Sequence, residues 1–482
     1  MIEVTAIVAV APILAVPLWL GRTRFPTGLD VGNWLGFGRS WIGDGHKADV
    51  ATYPPAIPLA LRGMSNLFGP LTSAQLLGIG SLAAVYLAVS LSLRRCGLSP
   101  WFAIVGGLVP VGSGPFLETY AFGGYPQNYS ISLLVGALVF AGLYWKEGRA
   151  VHQIAAACLV AGVALTHHAY FAVALASLAT MQVVNLTAAP NRRTRWERGA
   201  GLGAVAMVGI AAFLPTYLQM RRLGYEAPIN PASLAPGASV EYAFRGAAWL
   251  WVAAFAATGA FVGLTCARRR SLIWQFVVSA GVAPACALFL TGEPRLIPLL
   301  VISATAGSAW MLDVVRRCHL PALSRLSLVV PALALPFFFQ QASRMHDDYS
   351  AYYRVLDPEL RDTISWVATN PVNGSVGVVA IRDGWPVGWW YSGLTDAKIA
   401  TQSDSKWIAF PGEMSQSKRI DLLLGSAMSA QAASSLARSW NMELLAFRRA
   451  EWQGWRTWLD DVNSPIAVVY QNSEYEVLRL YK

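Results

Sequence analysis

Long apolar runs, broken by short polar gaps, dominate the first 340 positions. They occupy roughly 2–20, 71–93, 100–113, 129–145, 153–167, 169–187, 199–219, 246–266, 272–290, 296–313 and 324–340. Each is too long for a strand and apolar on every side, the pattern of helices surrounded by other helices or by lipid. Several are only about 15–18 residues, short for a bilayer of ~30 Å. Short spans persist where bundled helices line a cavity. The basic clusters fall in alternate gaps: Arg94-Arg95, Lys146 with Arg149, Arg192-Arg193-Thr194-Arg195, Arg268-Arg269-Arg270, and Arg316-Arg317 with Arg325. Placing these inside predicts one threading, with the N-terminus in, 11 spans and the C-terminus out. The long gaps then lie outside, at 21–70, 113–128 and 220–245. So do Asp30, Asp44, Asp49, Glu118, Glu226, Glu241 and Glu293. The stretch 153–187 reads as two spans with an outside turn at Thr166-His167-His168-Ala169-Tyr170. One long span there would invert every later loop and turn Arg268–Arg270 outward.

After about Gln341 the pattern changes. Asp357-Pro358-Glu359-Leu360 opens a helix, with Asp at the N-cap and Pro at the first position. Ser417 to Leu424 and Ala430 to Trp440 also read as helices. Val376 to Ile381, Glu443 to Phe447, Ile466 to Tyr470 and Tyr475 to Tyr481 read as strands. The expected fold is therefore a polytopic α-helical membrane protein with a membrane domain over 1–340 and an extracytoplasmic α/β domain over 341–482.

Composition agrees. The 482-residue chain has a mean hydropathy of +0.43 and is only 13% charged, which excludes an ordinary soluble globule. The net charge of +10 is not a nucleic-acid signature: residues 1–340 hold 23 Lys/Arg against 11 Asp/Glu, and residues 341–482 hold 14 against 16. The excess belongs to short inner loops. Five cysteines (96, 158, 266, 286 and 318) have no metal-site spacing, and none lies after 340. The N-terminal run lacks a basic flank before it and a small-residue cleavage site after it, so it reads as a retained span. No phosphate-binding glycine loop occurs, so cytosolic nucleotide chemistry is not signalled.

The polar residues that carry chemistry gather in the outer gaps. Asp30 precedes Val31, Trp34, Leu35, Phe37 and Trp41, which fall near helical spacing. It reads either as the cap of an interfacial amphipathic helix or as a general base or metal-holding carboxylate, and a cap position fixes a side chain for either use. Tyr53-Pro54-Pro55-Ala56-Ile57-Pro58 leads back into apolar sequence. Tyr120 and Tyr125 are either an aromatic floor for a sugar or interfacial belt residues. His167 and His168 are either a polar turn or a contact to an anion. Thr291-Gly292-Glu293-Pro294-Arg295 opens a span from outside, where Arg295 either snorkels or binds an anion. Arg221 and Arg222 break the charge rule at an outer end and are further phosphate candidates. The segment Trp385 to Thr395, with Ser403 to Trp407, is either a sugar contact or a packing surface.

The hydrophobic first span, the outer loop beginning Gly28-Leu29-Asp30 with its aromatics, and the Tyr53-Pro54-Pro55-Ala56-Ile57-Pro58 step resemble the GT-C superfamily of membrane glycosyltransferases. That superfamily includes oligosaccharyltransferases, protein O-mannosyltransferases and aminoarabinose transferases. The resemblance covers 1–340 as architecture and a few short motifs as sequence. It implies a catalytic acid at Asp30, although Gly28-Leu29-Asp30-Val31 lacks a second acid beside it. It implies a second acid at Glu118, holding a divalent cation (Mg or Mn) or orienting the substrate. Phe122-Gly123-Gly124-Tyr125-Pro126 resembles the Gly-Gly-aromatic-Pro turn of bacterial members, with the glycines permitting backbone approach to a ligand. Arg295 matches an arginine that meets the lipid phosphate. The implied activity is inverting transfer of a sugar from a polyprenyl-phosphate donor to an extracytoplasmic glycan, lipid or protein, in a bacterial inner membrane. Tyr53 and Glu293 join the substrate-side residues. A lipid-linked sugar transporter, or a non-catalytic cell-envelope assembly protein on the same scaffold, is the alternative. Transporters favour polar residues mid-span and internal repeats, neither of which is visible.

Overall fold

The computed structural model describes residues 4–5, 7–12, 28–43, 45, 52–188, 192–225, 258, 262, 271–291, 293–317, 321–382, 384–425, 428–460 and 463–481. The expected span at 246–266, most of 2–20 and most of the loop at 220–245 lie outside these residues, as do Asp44, Asp49, Glu226, Glu241 and Arg268–Arg270. By contacts the chain forms two compact units. One comprises residues 1–21, 77–215 and 232–349; the other comprises 22–76, 216–231 and 350–482.

Among the described residues the apolar runs and the segments between them largely form helices. In chain order they are α1 (Val31–Trp41), α2 (Ala56–Phe68), α3 (Pro70–Arg95), α4 (Pro100–Val111), α5 (Gly114–Phe122), α6 (Tyr125–Glu147), α7 (Ala150–Thr166), α8 (His168–Ala188), α9 (Arg192–Arg222), α10 (Leu272–Thr291), α11 (Ile297–Arg316) and α12 (Pro321–Tyr352). Among the described residues five are long and apolar enough to cross a bilayer, or six if α4 and α5, bent by 51°, form one broken span; α7 and α10 are shorter apolar helices. The chain is thus a multi-pass membrane protein. The expected 113–128 loop is instead mostly helix: Ser113 ends α4's turn, α5 follows at once, and α6 begins at Tyr125. The chain satisfies its backbone groups in that stretch by staying helical.

The break at His167 is real. Its backbone is extended (φ −158°, ψ 119°) between α7 and α8. The two helices pack on each other and on α6.

The second unit carries a five-stranded sheet in the order β2-β1-β3-β5-β4. The strands are β1 (Ser375–Val378), β2 (Lys398–Thr401), β3 (Met442–Arg448), β4 (Ala467–Gln471) and β5 (Tyr475–Arg479). β1 runs parallel to β2 and β3, while β5 is antiparallel to β3 and β4. β1 is buried along its whole length, as a parallel strand covered on both faces must be. Five helices accompany the sheet: α13 (Pro358–Thr369), α14 (Gly388–Leu394), α15 (Pro411–Gly425), α16 (Ala430–Ser439) and α17 (Trp455–Leu459). Asp357 caps α13 as its sequence requires, its carboxylate accepting from the Leu360 N–H at 2.7 Å. Ile420, Leu423, Ala433, Leu445, Phe447 and Leu478 form the core beneath the sheet.

The same unit holds α1 and α2. Gly32 and Gly393 set the crossing of α1 on α14: a Cβ on Gly32 would lie 2.6 Å from the Trp390 Cα, and one on Gly393 2.8 Å from the Gly32 carbonyl oxygen. Only glycine permits backbones to approach so closely. Val31, Trp34, Leu35 and Phe37 are buried there. At ~1.5–3 kcal/mol per buried apolar side chain, their burial outweighs the Arg39–Asp396 ion pair, since an exposed pair contributes about 0–1 kcal/mol. The expectation of an interfacial helix with its apolar face toward lipid is therefore corrected. That face is covered by α14, α2 and Tyr53.

Candidate active site

Asp30 occupies the N-terminal position of α1, and its carbonyl accepts the Trp34 N–H at 3.1 Å. Its side chain makes no capping hydrogen bond. The capping role read from the sequence therefore does not hold for the carboxylate, which is half-buried. Ahead of it Gly28 takes φ +122°, a conformation natural only to glycine, and Leu29 is 1% exposed. The acid sits on an anchored turn. Tyr53 lies on α1's aromatic face, 4.5 Å from Trp34 and 5.6 Å from Phe37 between ring centroids. It braces the helix rather than standing apart as a ligand contact. Arg221 and Arg222 are exposed in the last turn of α9, which Gly224 closes at φ +67°.

The membrane unit holds a second cluster. α8 begins at His168, α6 at Tyr125, and a short 3-10 turn, Pro294–Leu296, leads into α11. The Tyr170 hydroxyl donates to the Arg295 carbonyl and lies within hydrogen-bonding reach of the buried Gln127 side chain. Three helix beginnings are thus tied together. The His167 and His168 rings stack at 5.2 Å, and Tyr170 meets His167 edge-on at 5.2 Å. The Arg295 charge acts on both imidazoles. Glu293 orients the arginine: its Oε1 accepts the Arg295 N–H at 3.3 Å and lies 3.5 Å from Nε. The guanidinium stays 53% exposed, so its remaining donors face outward. Convergent helix N-termini, an arginine and imidazoles in one place make a region suited to an anion.

Tyr120 and Tyr125 are fully buried, 6.3 Å apart, with Tyr120 stacked on His346 at 5.9 Å. They form packing rather than an open sugar floor. A Cβ on Gly78 would lie 2.6 Å from the Tyr125 ring, which explains that glycine. The Gly123-Gly124 pair is likewise structural. Gly123 is left-handed (φ +95°), Gly123 N–H bonds the Tyr120 carbonyl at 3.3 Å and Gly124 N–H bonds that of Thr119 at 2.8 Å. That is a Schellman helix end. A Cβ on Gly124 would strike the Phe122 ring at 2.6 Å, so the space a ligand would use is already filled.

Glu118 is half-buried, and its charge acts on Tyr349. Among the described residues no group of three or more His, Cys, Asp or Glu is placed to hold a metal ion.

Sequence reasoning missed Tyr170 and Gln127, although Tyr170 closes the Thr166–Tyr170 turn and Gln127 directly follows the Phe122–Pro126 turn. A tyrosine two residues past a histidine pair, at a predicted break, was the available signal. Tyr349 and His346 carried none, being more than 200 positions from Glu118 and Tyr120. In the outer segment, Trp390 and Tyr391 are 0% and 1% exposed, so these two side chains serve packing, while Trp389, Ser392, Thr395 and Trp407 line a cavity.

No family model matches the sequence, and no curated protein matches it. Solved structures do match. The mycobacterial arabinofuranosyltransferase AftD superposes with a TM-score of 0.64 at 16% identity, over 98% of this chain and 40% of its own. The archaeal oligosaccharyltransferase AglB of Archaeoglobus fulgidus, solved with an inhibitory peptide and a dolichol-phosphate, gives 0.63 at 13% identity, over 93% of this chain and 70% of its own. ArnT of Cupriavidus metallidurans, solved bound to undecaprenyl phosphate, gives 0.60 at 12% identity, over 99% of this chain and 98% of its own. The chain spans well under half the length of the first of these. It shares the fold of these three structures, helical part and sheet-bearing domain together.

Proposed function

We propose, from this fold, that the protein is a GT-C membrane glycosyltransferase using a polyprenyl-phosphate-linked sugar and an extracytoplasmic acceptor. The observation that carries the reading is the convergence of three helix beginnings on Arg295, His167 and His168. Such a place favours an anion held at a bilayer boundary, as a lipid phosphate is. ArnT and AglB were each solved with a polyprenyl-type phosphate, which supports the same donor class. With the basic gaps inside, the N-terminus is cytoplasmic and the sheet domain lies outside, in an inner membrane. An enzyme working there has no nucleotide sugar at hand, and a lipid-borne sugar answers that supply problem.

In the reaction, Asp30 accepts the proton of an acceptor hydroxyl as its oxygen attacks the anomeric carbon. The anomeric C–O bond breaks toward the phosphate, inverting that carbon, and the polyprenyl phosphate leaves with the electron pair. Arg295, fixed by Glu293 and Tyr170, and the helix N-termini offset the charge growing on the phosphate. His167 and His168 add donors beside it. Arg221 and Arg222 offer a first electrostatic contact for the lipid phosphate. Glu118 stays a positioning acid through Tyr349. Tyr53, Tyr120 and Tyr125 hold the frame.

Transfer assayed in vesicles with a lipid-linked sugar donor tests the roles. Asp30→Asn removes a general base, an effect of typically 10²–10⁴-fold, and leaves donor binding near normal. Arg295→Ala weakens lipid-phosphate binding by at least tenfold. Retained transfer in the first variant, or unchanged donor affinity in the second, ends the corresponding assignment. Movement of lipid-linked sugar across the bilayer without transfer would favour the transporter alternative instead.

A further inference from the structure

The unit that carries the sheet contains a cavity of about 180 Å³. Its walls come from the end of α1, from α14 and the strand after it, from the 3-10 turn Ser405–Trp407 and from the start of α15. Their chemistry is mixed in a particular way. Trp389 and Trp407 supply flat aromatic surface, and Ser392, Thr395, Glu413 and Gln416 supply hydroxyl, carboxylate and amide groups. Trp407 is half-buried, so part of its side chain stays open where it lines the cavity.

We propose that this cavity binds one or two sugar residues of the acceptor, which makes the acceptor a glycan. A sugar ring has an apolar face of C–H groups that lies on an indole, and a rim of hydroxyls that both donate and accept. The cavity offers both kinds of partner. A polyprenyl tail needs an extended apolar groove, and the polar half of this lining opposes it. The volume lies below the ~300–1,000 Å³ of sites for drug-sized ligands, so the end of a chain fits and a long segment does not. The Lys406 ammonium, 5.6 Å from the Trp407 ring centroid, offsets the Glu413 carboxylate on the wall, so a neutral glycan is favoured over a charged one. Gly388 is part of the construction. A Cβ there would lie 2.3 Å from the Thr401 hydroxyl, so glycine lets α14 sit against β2 and brings Trp389 to the wall.

The identity of this ligand as an acceptor rests on the transferase reading; its binding does not. The experiment is equilibrium binding of neutral arabinan, mannan and galactan tetrasaccharides to the detergent-solubilised full chain, followed by tryptophan emission and by saturation-transfer NMR. The expected result is saturable binding of at least one probe, a tenfold or greater loss in Trp407→Ala, and a similar loss in Ser392→Phe, which fills the cavity. Gln416→Ala, a half-buried surface change that leaves the core intact, is expected to lose three- to tenfold and guards against misfolding of the larger changes. No binding by any probe, or binding equal in all three variants, overturns the proposal. Asp30→Asn separates the two readings. Glycan binding that survives in that variant while transfer disappears supports both, whereas binding in the native chain without any transfer leaves the cavity assigned and removes the transferase.

Discussion

Two glycine-to-alanine changes, identical in chemistry, are expected to move stability in opposite directions. Gly32 lies within α1, and an added Cβ would meet the Trp390 backbone at 2.6 Å and the Trp389 carbonyl carbon at 2.7 Å. Backbone cannot rotate away as a side chain can, so the two helices must part. Overpacking of this kind costs ~1–3 kcal/mol, against a helix-propensity gain of ~1 kcal/mol for replacing glycine. The net is a loss of up to about 2 kcal/mol, toward the upper end because the obstacle is backbone. Gly63 lies within α2, and a Cβ there would meet nothing within 4 Å. Only the propensity term acts, for a gain of about 0.5–1 kcal/mol. In a unit of roughly 200 residues each kcal/mol moves the midpoint by about 2–4 °C. Gly32→Ala is then expected to lower Tm by up to about 8 °C and Gly63→Ala to raise it by about 1–4 °C. Thermal unfolding of the purified full chain, followed by tryptophan emission, reads both. Because Asp30 sits at the start of α1, Gly32→Ala is also expected to depress transfer by about 10²-fold, the scale of a 1 Å misplacement. Shifts of the same sign in the two variants would refute the close-crossing argument.

Asp357→Asn keeps the cap, since Asn and Asp are comparable there, and removes a titrating group. Burial raises the Asp357 pKa above the ordinary carboxylate value, with Glu359 and Glu474 adding to the rise and Arg448 opposing it. A raised acid stabilises the fold below its unfolded pKa, and that contribution is lost as pH rises through the folded value. Urea unfolding across pH 3–7 is expected to show a flatter profile in the variant, and an unchanged slope would count against the assignment. Asn373, exposed just before β1, tests the threading: Asn373→Cys in intact cells is expected to react with an impermeant maleimide from outside, and labelling only after permeabilisation would reverse the topology.

Along the chain, what could be read beforehand was whatever a local rule governs. The helices over 70–95, 125–147 and 297–316 follow from apolar runs, because a backbone in lipid must satisfy itself within its own helix. The start of α13 was written in Asp357-Pro358, and the break at His167 in a polar pair amid apolar sequence. β2 was not legible: Lys398-Ile399-Ala400-Thr401 is four residues long with no clean alternation, and its pairing with β1 supplies the order. The 113–128 stretch looked like a loop because its glycines and polar residues are used for a helix end and a kink.

Residue types and helix ends, then, follow from the amino-acid order alone: the acid at 30, the arginine at 295, the histidine pair, the apolar spans. Tertiary structure decided what each of them faces. Gly32 and Trp390 lie 358 positions apart, as nothing in either neighbourhood announces, yet their contact turns a lipid-seeking helix into a buried one. The backbone of Arg295 is tied down only because Tyr170, on another helix, donates to its carbonyl and is itself met by Gln127 from a third. Burial and charge proximity are sums over partners distant along the chain, and folding alone supplies those partners.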